Sequence, residues 1–101
     1  MAWQTVADVA EVPTQGFKAI DMAGTPILIG RAEGQWFACL DRCPHAGAPL
    51  RIGTLRGEEL QCPRHGWLFN VITGCSVPDD PAFRLAKIPT KVDSSHVFVE
   101  L

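Results

Sequence analysis

No apolar run in this chain approaches the ~20 residues that a membrane-spanning helix needs. The opening residues, MAWQTVADVAEV, carry no basic stretch and no long apolar core, so no secretory signal is read. The formal net charge is only −2, which gives no global reason to expect nucleic acid or a membrane surface as a partner. A G-x-G-x-x-G after a strand-like run is missing, and with it the sign of a flavin or nicotinamide domain. Low-complexity tracts are missing too. No stretch reads as a helix longer than a turn or two, with Ala7 to Val12 the one candidate. These absences leave the cytoplasm as the default setting, where the four cysteines are not expected to form structural disulfides.

What is there is strand. Length, 101 residues, favours a single domain over 1–101, and a hydrophobic content of 47% favours a globular one. At this size the core is modest, so a bound cofactor would add useful stability. Trp3 to Val6 can open a sheet. Phe17 to Asp21 and Pro26 to Arg31 flank a turn at Ala23-Gly24, and Trp36 to Leu40 follows a turn at Glu33-Gly34. Arg84 to Val92 and His96 to Leu101 flank Asp93-Ser94-Ser95. Val97, Val99 and Leu101 alternate with Phe98 and Glu100, the period of a half-buried strand. Short runs of this kind between Gly, Asp and Ser turns predict an all-β fold, an antiparallel sandwich or barrel.

The middle of the chain differs. Residues 42–72 are rich in Gly, Pro and Arg and read as an insertion on a β base formed by 1–41 and 73–101. Leu60-Gln61 and Trp67 to Val71 can be the short strands that hold its loops. The insertion carries Cys43-x-His45, then sixteen residues, then Cys62-x-x-His65, within CPHAGAPL and CPRHGWLFN. Each loop offers one thiol and one imidazole. That symmetry suits a binuclear centre in which one iron takes both cysteines and the other both histidines. Structural zinc is the competing reading, but zinc usually takes Cys-x₂₋₄-Cys or His-x₃₋₅-His pairs, and Cys-x-His is a poor match.

On these loops, on the β base and on its length, the chain resembles the Rieske [2Fe–2S] proteins, and nearly the whole chain takes part. The resemblance implies a Rieske-type fold with a small cluster-binding subdomain over 42–72 and one [2Fe–2S] cluster per chain. Cys43 and Cys62 would bind one iron, and His45 and His65 the other. Thiolate and neutral imidazole suit iron in their own right. Pro44 and Pro63 stiffen the loops and remove an N–H, which leaves other amides to face the cluster. Gly47 and Gly66 permit tight turns near it. Trp67, Leu68 and Phe69 are expected beneath the cluster, with a core role as the plainer explanation. GCSVPDDP, Gly74 to Pro81, resembles the proline loop that covers the cluster in this family, with Val77 and Pro78 as the shield. Cys39 reads as a small buried residue. Cys75 reads as a possible neighbour of the cluster, and His96 as structural or exposed.

The cluster of this family passes one electron and is not a site of substrate chemistry. An oxygenase subunit would need a mononuclear iron held by two His and a carboxylate, yet only His96 is left after His45 and His65. The resemblance therefore implies a carrier and not an enzyme, like the ferredoxin components of bacterial multicomponent aromatic-ring oxygenases. Its partners would be an NAD(P)H-dependent flavoprotein ferredoxin reductase and a terminal oxygenase, and the carrier a monomer. The alternative is a small electron-transfer subunit of another redox enzyme, such as a nitrite reductase type assembly; a zinc module for protein binding is the third reading. Docking is expected at the histidine-bearing tip. Residues 42–67 hold Arg42, Arg51, Arg56 and Arg64 against Glu58 and Glu59, a basic excess on an otherwise acidic chain. That contrast can steer the tip toward an acidic patch, or be ordinary solvated surface.

High-potential relatives in quinol-oxidising complexes carry a further cysteine in each loop, joined as a disulfide, and Ser and Tyr hydroxyls that bond to the cluster sulfurs. The matching positions here are Ala48 and Arg64, then Trp67 and Phe69, and the chain has no Tyr. Fewer donors destabilise the reduced, more negative state. Voltammetry is therefore expected to place the midpoint at the low end of the range for such centres, roughly −150 mV. Imidazole N–H groups release protons more readily when the cluster is oxidised, so the potential is expected to fall as pH rises through the alkaline range. A midpoint well above zero contradicts the first expectation; a pH-independent potential contradicts histidine ligation.

Overall fold

The computed structural model describes residues 3–44, 47–64 and 66–100. Its strands are β1 (Trp3–Asp8), β2 (Gly16–Met22), β3 (Thr25–Ala32), β4 (Gln35–Leu40), β5 (Thr54–Arg56), β6 (Glu59–Gln61), β7 (Leu68–Asn70), β8 (Ser76–Val77), β9 (Thr90–Val92) and β10 (His96–Glu100). They form three antiparallel sheets among the described residues, ordered β1-β10-β9, β2-β3-β4 and β5-β6-β7-β8. The all-β expectation holds.

Local chemistry sets the middle sheet. β2, β3 and β4 are joined by two-residue turns at Ala23-Gly24 and Glu33-Gly34, and all four residues have positive φ, from 51° to 92°. Such turns match the right-handed twist of the strands they join. The Asp21 carboxylate accepts the Gly24 N–H at 2.7 Å and fixes the first of them.

This sheet lies between the other two. Ile27, Ile29 and Ala38 pack with Ala7, Val12, Ile88, Val97 and Val99 of the first sheet and its flanks. Leu28, Phe37 and Cys39, on the opposite face, pack with Leu50, Leu60, Phe69 and Val71 of the third. Burial on both faces explains why PILIG and WFACL are continuous apolar runs, while β10 alternates. The third sheet is built from β5 to β8, within residues 54–77.

Two expectations need correction. Ala7 to Val12 is no helix: β1 runs on to Asp8, and only Val9–Glu11 makes a single tight turn, with the Glu11 carboxylate accepting the Asp8 N–H at 2.8 Å. Arg84 to Val92 is a strand only over Thr90–Val92. The part before it serves two sheets in turn. Leu85 N–H bonds to Gly74 C=O, while Ala86 C=O accepts from Leu40 and Ile88 N–H bonds to Ala38 C=O. No single ladder can form along a segment that alternates partners, and Pro89 has no N–H to add.

The Phe37 ring fits over Gly30. A Cβ at Gly30 would lie 2.5 Å from that ring and 2.4 Å from the Gly16 carbonyl oxygen. Gly30→Ala is therefore expected to cost about 1–3 kcal/mol, read as a lower urea midpoint with an unchanged slope. An unchanged midpoint means the ring does not pack there.

Candidate metal centre

The two candidate ligand loops leave different sheets but are built alike. The first follows β4. Leu40 and Asp41 are the last residues held to the base, through Leu40 N–H to Ala86 C=O and Asp41 N–H to Pro26 C=O. The second joins β6 to β7. In each, the cysteine N–H donates to the carbonyl five residues on: Cys43 to Ala48 at 2.8 Å and Cys62 to Trp67 at 2.7 Å. In each, proline follows the cysteine, and a glycine four residues after it has positive φ, 68° at Gly47 and 70° at Gly66. A side chain is strained in that conformation, so the turn that closes each loop calls for glycine. Gln61 Nε2 also reaches the Gly66 carbonyl at 3.4 Å across the second loop.

These closures bring two thiols together. Cys43 and Cys62 are 1% and 0% exposed and lie in one buried cluster with Leu50, Leu60, Phe69 and Val71. Neither is in a disulfide, and their side chains hydrogen-bond to each other. The Cys62 thiol pKa is raised, first by burial and then by the Cys43 contact. The Arg64 backbone N–H, donated to the Cys62 sulfur, pulls it the other way. Pro63 has no N–H, so this is the first amide after Cys62 able to do so. Two adjacent buried thiols, one already facing an amide, form a sulfur half-site that fits a soft metal centre: a bound cation offsets the cost of burying thiolates. His45 and His65 lie outside the described residues.

The proline corner flanks the second loop. Val77, Pro78 and Asp80 share a cleft with Gly66, Trp67 and Leu68. Trp67 stacks on Phe69 with centroids 6.4 Å apart and meets the Phe83 ring edge-on at 5.0 Å. Phe69 is fully buried; Trp67 and Leu68 are half-buried. Phe69 is thus core, while Trp67 and Leu68 face the cleft.

Cys39 is fully buried in β4, and its thiol pKa is pushed up to about 12, mainly by burial and then by the Asp41 charge. It is an inert packing residue, as expected. Cys75 is paired beyond the Ser76–Val77 strand, where its carbonyl accepts the Asn70 N–H. That puts it about 7 Å along the hairpin from the Val77 end that flanks the second loop. His96 opens β10 with its side chain 48% exposed, Nε2 at 3.7 Å from Asp8 and Nδ1 at 3.8 Å from Asp93.

Two residues near the site escaped the sequence reading. Asp41 has a side chain only 1% exposed, and it accepts the Arg51 N–H at 2.8 Å. Its signal was a charge directly after the apolar run FACL. Ser76 is 3% exposed; its hydroxyl donates to the Pro78 carbonyl and accepts the Asp80 N–H at 2.7 Å, which shapes the proline corner. Arg84 steadies that corner from outside through Asp79, at 3.1 Å.

Comparison with known proteins decides which centre this is. Residues 2–90 match the model of the Rieske [2Fe-2S] domain. The ferredoxin CarAc of Metapseudomonas resinovorans is 30% identical over 98 residues, covering 96% of this chain and 92% of its own length. The methylxanthine N1-demethylase NdmA of Pseudomonas putida is 31% identical over 94 residues, but this chain spans only 26% of it. Among solved structures, a complex of reduced oxygenase and oxidized ferredoxin in carbazole 1,9a-dioxygenase contains a chain with a TM-score of 0.84 and 30% identity, matched over 96% of this chain and 91% of that one. With its twin Cys-Pro loops and this match over most of its length, the chain belongs to the Rieske [2Fe-2S] domain family.

Proposed function

We propose that this protein is a one-electron carrier of the ferredoxin type, taking electrons from an NAD(P)H-dependent flavoprotein reductase and delivering them to a terminal oxygenase in the cytoplasm. The observation that carries the reading is the end-to-end match with an oxygenase-system ferredoxin: nearly all of CarAc is covered, against about a quarter of the demethylase. The bound [2Fe–2S] cluster supplies reversible one-electron chemistry. The chain's own residues hold and insulate it. Cys43 and Cys62 supply the sulfur half-site, and His45 and His65 the nitrogen half, within a cluster-binding region over 42–72. Phe69, Leu50 and Leu60 keep water from the inner side of the thiols. Val77 and Pro78 flank the second loop.

Electron transfer favours a short path, so the partners meet the protein at the loops. The charges there differ from those of the sequence segment. Arg42 and Arg64 are exposed beside the two cysteines. Glu58 and Glu59 are at the β5–β6 turn, the end of β6 away from Cys62, where the Glu58 carboxylate holds Gln35 and Asn70. The proline corner contributes Asp80 instead, while Asp79 is paired with Arg84. The loop face is thus locally basic at Arg42 and Arg64 with an acidic edge.

The reduced protein is expected to show a rhombic EPR signal, with an average g below that of an all-cysteine [2Fe–2S] centre and equal iron and acid-labile sulfide. A colourless zinc protein without that signal rejects the carrier reading. Reduction by a flavoprotein reductase and delivery to an oxygenase, followed in a stopped-flow mixer, test the two partners in turn. Arg64→Glu is expected to slow delivery and weaken its salt dependence. If both are unchanged, Arg64 does not steer docking.

A further inference from the structure

Asp41 is a buried carboxylate in a place where neither fold nor core requires one. Taking a charge out of water is costly unless partners compensate. Among the described residues, both of its compensating contacts come from one residue, ten positions along the chain. The Arg51 N–H donates to Oδ1 at 2.8 Å, and the Arg51 guanidinium lies 3.3 Å from Oδ2. Oδ2 is buried and accepts no hydrogen bond among the described residues. The Asp41 N–H, in turn, donates to Pro26 of β3 at 3.0 Å. Asp41 therefore bridges the base sheet, through its backbone N–H, to the far end of the loop that carries Cys43 and His45, through its carboxylate.

Two further hydrogen bonds among the described residues of this loop are internal. Cys43 N–H to Ala48 C=O and Gly47 N–H to Cys43 C=O give it a shape but do not fix that shape to the base. The fully buried Leu50 side chain anchors its far end by packing, which restrains position more than direction. The second loop needs no such bridge, because it is a hairpin connection held by the β6–β7 ladder.

Resting on the Rieske reading above, we propose that Asp41 is the positioning residue of the first cluster loop: by clipping Arg51 to β3 it sets the direction in which Cys43 meets the cluster. Arg51 is its working partner. The Arg51 side chain is 53% exposed, so it can be removed without opening the core.

The experiment compares wild type, Asp41→Ala, Asp41→Asn and Arg51→Ala as holoproteins. It measures iron release to a chelator and the g values of the reduced cluster. Asp41→Ala is expected to release iron on the order of tenfold faster, with altered g values. Asp41→Asn keeps an acceptor for the Arg51 N–H and is expected to recover most of the wild-type behaviour. Arg51→Ala, which leaves Asp41 Oδ2 uncompensated, is expected to fall between Asn and Ala. The proposal is overturned if Arg51→Ala and Asp41→Ala release iron at the wild-type rate with unchanged g values, or if Asn is as defective as Ala. Should Asp41→Ala not fold, a wild-type release rate and spectrum in Arg51→Ala overturn it alone. A wild-type protein without a Rieske signal rejects the underlying reading instead, before any variant is compared.

Discussion

Two thiols that must stay adjacent and buried without joining as a disulfide are the constraint on which the rest depends. Unpaired buried thiols are ordinary core residues, as Cys39 shows. Cys43 and Cys62 differ because each enters the core from a loop, not from a strand. A loop with no ladder needs its own hydrogen bonds, and here both use the same one, from the cysteine N–H to the carbonyl five residues on. Proline after the cysteine and a left-handed glycine four residues after it make that closure possible. The loops are alike because they solve the same geometric problem.

How the loops meet is decided by packing further in. The middle sheet buries both faces, so it serves as the floor of the site and as one wall of the base core. Leu28, Phe37 and Cys39 on its upper face receive Leu60 and Phe69 from the third sheet. The first loop is fixed to the middle sheet and the second to the third sheet. The separation of Cys43 from Cys62 is thus set by contact between two layers, and a packed core deforms little. A site on packed layers is more rigid than one carried by loops alone, which suits ligands that must not move as charge changes.

Much of this was legible in the sequence, and the reasons differ between its parts. The hairpins at Ala23-Gly24 and Glu33-Gly34 were legible because turn chemistry is local. The β10 alternation was legible because one face of that strand is buried. The candidate ligands stood out because Cys and His are rare and their spacing is short. What was hidden is non-local. The segment before Thr90 has strand-like composition, but it exchanges hydrogen bonds with Gly74, Leu40 and Ala38 by turns, and no local pattern announces that. The arrangement of charge within 42–67 was hidden too, since the β5–β6 hairpin carries Glu58 and Glu59 away from the loops, leaving Arg42 and Arg64 there, while the proline corner brings Asp80 to the cleft.

The same distinction explains how the site stays rigid without a covalent link. Ala48 and Arg64 are the positions for which the resemblance implied the loss of a loop-joining disulfide. Ala48 is 9% exposed and gives its carbonyl to Cys43, whereas Arg64 is exposed and gives its N–H to the Cys62 sulfur. Both positions therefore contribute through the backbone, which any residue but proline at 64 can supply. The side-chain links lie outside them: Asp41 with Arg51 under the first loop, Ser76 and the Asp79–Arg84 pair around the proline corner. Each joins a loop to a different part of the framework, so no single link bears the whole site. A disulfide resists opening until it is reduced; hydrogen bonds distributed over three loops keep their geometry whatever the redox state of the surroundings.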